Sequence, residues 1–223
     1  MSALLMNSIN TVICIHGIWA HGVTMLLIKR RLEKEYGFRV LVFNYPSVRG
    51  TLDDNAALLS GFIEREGLDA AHMIGHSLGG VIALRMLAND ADAVPCRTVC
   101  VGSPLTGSRA ADFLSTQNWA EPFLGHSLTA GVVHEAANEW ASHVCELRDV
   151  GVIAGTSPYG FGRLVTKFDG ENDGTVAVTE TQLAGAKDHI CMDVSHKSML
   201  VSSAVVDQAA AFLKRGEFLR DDL

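Results

Sequence analysis

Four short apolar runs alternate with helix-patterned stretches along the first hundred residues, and this alternation restricts the fold more than any other feature of the chain. Thr11 to His16 reads as a strand buried on both faces. From His21 to Tyr36, the residues Met25, Leu26, Ile28 and Leu32 recur at helical spacing, and Gly37 follows as a C′ residue. Val40 to Phe43 is the next strand. Leu52 to Glu66 is a second helix, opened by Thr51 or Asp53, and Ala71 to Gly75 is a third strand. Ser77 to Asn89 is apolar on most faces, as a buried helix must be, and Arg97 to Val101 is a fourth strand. Strands that alternate with helices build a parallel sheet covered on both sides. Val150 to Ala154 and Asp188 to Val194 extend that sheet to about six strands, and Val201 to Leu213 is a closing amphipathic helix. The chain 1–223 therefore reads as one compact α/β domain, with helices on both faces of a mostly parallel sheet. Residues 105–142 hold helical fragments but no strand, and read as a small insertion that could form a partial cap.

Composition narrows the partners. The 223 residues are 48% apolar and carry a formal net charge of −7, which excludes a disordered chain. An acidic balance without Lys/Arg runs argues against nucleic acid or an anionic membrane as the main partner. No apolar run approaches the roughly 20 residues needed to cross a bilayer. No basic side chain stands among Met1 to Met6 ahead of an apolar stretch, so no secretory signal is expected and a cytoplasmic protein is. Five scattered cysteines form no CxxC pair. They are expected to be small buried hydrophobes rather than zinc ligands or a disulfide framework.

Chemistry enters at Gly75-His76-Ser77-Leu78-Gly79, a G-x-S-x-G pattern lying between the third strand and the third helix. The pattern is short enough that context must decide its meaning. Gly125-His126-Ser127-Leu128 repeats its first four letters, but Thr129 replaces the closing glycine and no strand precedes it. In the first copy, a sharp strand-to-helix turn would lift the serine side chain above the sheet edge in a strained backbone conformation. Gly75 and Gly79 fit positions where a Cβ would collide with neighbouring elements, and the helix N-terminus aims its free N–H groups at the same place.

A serine hydroxyl is a poor nucleophile until a base takes its proton. The base is usually a histidine oriented by a carboxylate, and in this strand-turn-helix setting the chain order is serine, acid, histidine. His196 follows the last strand, at the same sheet edge as Ser77, and is assigned as the base. His189 begins that strand and should lie within the sheet or at its other edge. Asp169, Glu171 and Asp173 crowd one glycine-rich loop after the 150–154 strand. Asp173 is favoured as the acid because Gly174 and Val176 let a short loop tuck its carboxylate inward. Calcium binding by this cluster is the rival reading, weakened by the lack of a twelve-residue loop ending in a bidentate Glu. An oxyanion hole needs two preorganised N–H donors. Leu78, after the nucleophile, should supply one, and Ile18, in the His16-Gly17-Ile18-Trp19 loop, the other. Trp19 and His76 are the expected substrate-side neighbours of the site.

Together these residues resemble the α/β-hydrolase superfamily, specifically its small bacterial esterases and lipases. His16-Gly17-Ile18 looks like the oxyanion loop, Gly75 to Gly80 like the nucleophile elbow, Asp173-Gly174-Thr175-Val176 like the acid loop and Val194-Ser195-His196 like the histidine loop. The last two are similar to compact bacterial lipases and to inositol-deacylase-like lipases. The resemblance implies an α/β-hydrolase fold and a Ser77–His196–Asp173 triad. It also implies an acyl-enzyme on Ser77, cleaved by water that His196 activates, with no metal and no cofactor. The early antiparallel strands of larger members are missing, and Ser103 to Ser142, with Phe113, Trp119, Phe123, Leu124 and Trp140, is longer than in the minimal lipases. The expected activity is cleavage of short- to medium-chain acyl esters, small-molecule substrates. Thioester hydrolysis or acyl transfer with the same triad is the alternative, and a non-catalytic ligand-binding relative a third. Fold relatives that use a carboxylate nucleophile are excluded by Ser77.

Overall fold

Six strands, all parallel, form one sheet in the order β2-β1-β3-β4-β5-β6. The computed structural model describes residues 9–90, 94, 97–107, 137–159 and 170–220. Its strands are β1 (Thr11–Ile15), β2 (Arg39–Phe43), β3 (His72–His76), β4 (Arg97–Val101), β5 (Asp149–Gly155) and β6 (Asp188–Met192). The helices are α1 (Leu26–Tyr36), α2 (Leu52–Arg65), α3 (Leu78–Asn89), α4 (Ala137–Leu147) and α5 (Ser203–Arg215).

Alternation of side chains along each strand divides the core in two. Ile13, Ile15, Met73, Cys100, Val150 and Val152 face one side and pack with α2, α3 and α4. Val12, Cys14, Ile74, Val99, Val101 and Ile153 face the other and pack with α1 and α5. The division follows from handedness. The chain moves from β1 to β2 in one direction along the sheet and in the opposite direction from β2 onward, so right-handed crossovers place α1 on one face and α2, α3 and α4 on the other. α3 is the best covered of them, with nine of its twelve residues buried.

Local chemistry sets the element ends. Thr51 caps α2 through a reciprocal pair of hydrogen bonds: its hydroxyl accepts from the Asp54 N–H at 3.1 Å, and its own N–H donates to the Asp54 carboxylate at 3.0 Å. The expected helix from His21 is instead a 3-10 turn, Gly22–Met25, that runs into α1. Asn44 explains the tighter start, because its Oδ1 accepts from the Gly22 N–H at 3.0 Å and fixes the chain entry. β6 stops at Met192, two residues short of the expected end, and α5 begins at Ser203, after Ser202, whose hydroxyl accepts from the Val205 N–H. Most of the 105–142 segment, with Phe113, Trp119, Phe123, Leu124, His126 and His134, lies outside the described residues.

The strand order carries a functional consequence. Connections leaving β1 and β3 diverge, so a crevice opens between their C-terminal ends, the place where open α/β sheets bind ligands.

Candidate active site

Ser77 stands at that crevice. It joins β3 directly to α3 with φ 54° and ψ −124°, a conformation that a side-chain-bearing residue rarely adopts. Two backbone hydrogen bonds hold it there: the Ser77 N–H donates to the Val101 carbonyl at 2.8 Å, and the Gly80 N–H donates to the Ser77 carbonyl at 3.1 Å. The turn is possible only without flanking side chains. A Cβ on Gly75 would come within 2.3 Å of the Gly80 nitrogen, and one on Gly79 within 2.4 Å of the Ile15 carbonyl oxygen. Such strain costs on the order of 1–3 kcal/mol and persists only when its surroundings hold it. Ser77 itself is only partly buried.

Leu78 is the first residue of α3, so its N–H has no acceptor inside the helix. The loop after β1 lies directly beside the turn, since a Cβ on Gly17 would approach the Ser77 Cβ to 3.0 Å. Ile18 follows in that loop, half-buried. His16 braces the loop: its ring reaches the Gly17 carbonyl through Nδ1 at 2.8 Å and the Asn44 Oδ1 through Nε2 at 3.0 Å, and it stacks on Tyr45 at 4.4 Å. The Tyr45 hydroxyl donates to the His16 carbonyl at 2.8 Å. Burial draws the His16 imidazole below its ordinary pKa, against the opposing pull of its bonds to Gly17 and Asn44. Trp19 has φ 54° and is 56% exposed, so it stands out from the loop rather than packing into the core.

Asp173 and His196 meet in a buried pair. His196 Nδ1 donates to Asp173 Oδ2 at 2.7 Å, and the His196 backbone N–H donates to the Asp173 carbonyl at 2.9 Å. The other carboxylate oxygen accepts from the Thr175 and Val176 N–H groups at 2.8 and 2.7 Å. Asp173 is 1% exposed and thus fully engaged, whereas His196 keeps a small exposed edge. Of the other acids in the loop, Glu171 faces solvent and Asp169 lies outside the described residues. Among the described residues no group of three His, Cys, Asp or Glu side chains gathers as a metal site requires. His189 sits inside β6 with Nε2 3.0 Å from the Thr181 hydroxyl, away from this cluster.

Two features escaped the sequence reading. The first is a floor of glycine at the ends of β4 and β5. A Cβ on Gly155 would come within 2.4 Å of the Val194 carbonyl and 2.8 Å of the Asp173 Cβ, and one on Gly102 within 3.2 Å of both Asp173 Oδ2 and His196 Nδ1. The pair therefore rests on bare backbone, a contact between distant segments with no local signature. The second concerns His76, expected at the substrate. It is 5% exposed, and its Nε2 donates to the His196 carbonyl at 2.9 Å.

The family model for the alpha/beta hydrolase family matches residues 12–220. The chain belongs to that family. Solved alpha/beta structures give the same picture of the fold. The mature form of the Bacillus licheniformis lipase BlEst2 aligns with a TM-score of 0.73 at 18% identity, over 95% of this chain and 93% of that one. Its propeptide form aligns at 0.76 and 17% identity, and there this chain spans about half of the longer protein, 52%, while 96% of this chain is covered. A monoacylglycerol lipase from Paleococcus ferrophilus aligns at 0.57 and 14% identity, over 93% and 95% of the two chains. No curated protein matches the sequence. Among the described residues no helix of this alpha/beta hydrolase is long and apolar enough to cross a membrane.

Proposed function

We propose that this alpha/beta hydrolase is a serine hydrolase of carboxylic esters, acting on short- to medium-chain acyl substrates. The observation that carries the reading is the buried Asp173–His196 pair, joined at 2.7 Å and set against the end of the strand that bears the strained Ser77. In this reading His196 Nε2 takes the Ser77 hydroxyl proton as Oγ attacks the ester carbonyl. Asp173 holds the imidazole in the tautomer with Nδ1 protonated and stabilises the imidazolium that forms. The tetrahedral oxyanion is held by the Ile18 and Leu78 N–H groups, each worth roughly 3–4 kcal/mol of transition-state stabilisation. His196 then returns the proton to the leaving alcohol, and the acyl group stays on Ser77. Water then gives a proton to His196 and attacks the acyl-enzyme carbonyl, the acyl–Oγ bond breaks, and His196 returns the proton to Ser77 Oγ as the carboxylic acid leaves. No step calls on a metal or cofactor.

Support comes from chemistry that a binding module does not need. A non-catalytic fold has no reason to keep a strained serine beside a carboxylate–imidazole pair whose every other hydrogen-bonding atom is occupied. Two of the structural relatives are lipases, which agrees in class. The decisive experiment is a chain-length series of p-nitrophenyl esters and matching acyl thioesters with the wild type and Ser77→Ala. Ester turnover that falls off with long chains and vanishes in the variant supports the reading. Preference for thioesters moves the protein to thioester hydrolysis or acyl transfer, and inertness towards every substrate overturns the reading in favour of ligand binding.

A further inference from the structure

The histidine loop has far to reach. β6, which it follows, lies three positions from β3 in the sheet, a distance of roughly 14 Å at the usual strand spacing. His196 nevertheless stands beside the β3 end, its ring 4.7 Å from that of His76. The glycine floor at Gly102 and Gly155 lets the loop lie flat across β5 and β4. That explains why the loop can cross, but not what holds its far end in place. Its two bonds to Asp173 tie it to another loop. Its tie to β3 is the His76 side chain, one residue before Ser77.

The chemistry of that tie is unambiguous. A carbonyl can only accept, so His76 Nε2 carries the proton and donates, and Nδ1 is left with a lone pair facing the Gly17 loop, 3.4 Å from where a Gly17 Cβ would stand. Burial, reinforced by the neighbouring His196, pushes His76 down to about 3, so the ring remains a neutral donor at working pH.

We propose that His76 is a positioning residue of the hydrolase: by holding the His196 carbonyl it fixes the base loop to the strand that presents the nucleophile, and so sets the distance between Ser77 and His196. The inference rests on the ester-hydrolase reading for its role in turnover. The positioning itself is a property of the folded chain.

The experiment compares His76→Leu, which keeps bulk and removes the donor, with His76→Gln, whose amide N–H reaches the same carbonyl. Two readouts are taken: kcat and KM on a p-nitrophenyl ester, and the low-field proton resonance of the His196 Nδ1–H on Asp173. The leucine variant should lose roughly ten- to hundredfold in kcat, the scale of an ångström-sized misplacement, with KM within about twofold of wild type. Its low-field resonance should broaden or vanish, and glutamine should restore both. Should the leucine variant fail to fold, His76→Asn takes its place, since the shorter amide falls short of the carbonyl. A donor-free variant with wild-type kcat and an intact resonance overturns the proposal. So does a glutamine variant that is folded yet as impaired as the donor-free one, and so does a rise in KM at constant kcat, which would make His76 a substrate contact. If the wild type turns over no ester, the resonance alone still decides whether His76 positions the loop, so the two proposals fail separately.

Discussion

β3 begins and ends in a buried histidine, and the two ends of the sheet use them in opposite ways. At the N-terminal end, His72 is 1% exposed and its Nδ1 accepts from the Arg97 N–H at 2.9 Å. Arg97 lies beside it, its guanidinium on Asp149 at 3.0 Å and on the Leu213 carbonyl at 2.9 Å, with Lys187 2.9 Å from the same Asp149 oxygen. This is a clamp: it joins β3, β4, β5 and α5 through matched donors and acceptors on ordinary backbone. At the C-terminal end, the loops that follow β1 and β6 meet at His76, but there the backbone is strained at Ser77, bare at Gly102 and Gly155, and open to solvent at the edge of His196. Buried polarity satisfied in place is stabilising structure. Buried polarity that leaves one reactive atom at a crevice is what chemistry needs.

The reactive end carries the largest expected effects. Ser77→Ala should lower kcat for a p-nitrophenyl ester by roughly 10⁵- to 10⁶-fold while leaving the thermal midpoint close to wild type, because in the proposed mechanism the hydroxyl acts in turnover and not in packing. Stopped-flow or long-time assays at high enzyme concentration measure the residue of activity, and a loss under tenfold removes Ser77 from the mechanism. Asp173→Asn comes next. It keeps the shape of the loop but replaces a carboxylate with an amide, and should cost about 10⁴-fold in kcat through the wrong imidazole tautomer. Glu171→Gln, on the same loop but facing solvent, should stay within twofold. A reversal of that order would reassign the acid.

How much of this contrast could be read in advance depends on the distance over which each signal acts. Strand β4 has the limits read from its apolar run, Arg97 to Val101, because a fully buried strand between turns leaves both its hydrophobicity and its punctuation in the sequence. The turn at Ser77 was equally legible, since two glycines flanking one serine after a strand describe a steric problem solved within five residues. Chain order and loop position, both coarse but long-range rules, point to Asp173 and His196. The 3-10 turn at Gly22–Met25 was not legible, because side-chain periodicity does not separate it from the first turn of α1. Neither were the two roles of histidine on β3. His72 and His76 stand on the same strand, and only the arrival of Arg97 at one end and His196 at the other makes one an acceptor and the other a donor. The glycine floor is hidden for the same reason: Gly155 and Val194 are far apart in the chain.

The clamp end supplies the converse test. Arg97→Met keeps the apolar stem but removes the bonds to Asp149 and to the Leu213 carbonyl. Breaking one side of a buried pair of this kind costs about 3 kcal/mol, which for a chain of this length lowers the thermal midpoint by about 6–12 °C. Turnover per titrated active site should be unchanged at a temperature where the variant is fully folded. Calorimetry and an active-site titration check the two halves. A variant that loses activity in proportion to nothing but its own folded fraction upholds the division between the ends, and one that is stable but slow would show that the clamp reaches the site.

The smallest effect lies in the pH dependence of stability and separates the ends by charge. Asp149 has its pKa lowered: burial alone would raise it, but the hydrogen bonds and charges of Lys187 and Arg97 outweigh burial, so its contribution is present above the ordinary value of 3.8 and fades only in stronger acid. His76 behaves differently. Unfolded, it titrates near 6.5, whereas in the fold burial, with His196 and His16 nearby, holds it at about 3. Above pH 6.5 both states are neutral and its contribution is complete. Between 6.5 and 3 the unfolded chain binds a proton that the folded chain refuses, and stability falls by up to about 1.4 kcal/mol per pH unit. Urea unfolding of wild type and His76→Gln at pH 7 and pH 5 isolates this term, because the other titrating groups are common to both proteins and cancel in the difference. Wild type should lose about 1–2 kcal/mol more than the glutamine variant over the interval. Parallel losses would mean that His76 takes up a proton in the folded state, and an imidazolium there would place a positive charge 4.7 Å from the His196 ring, which in the proposed mechanism must accept a proton of its own.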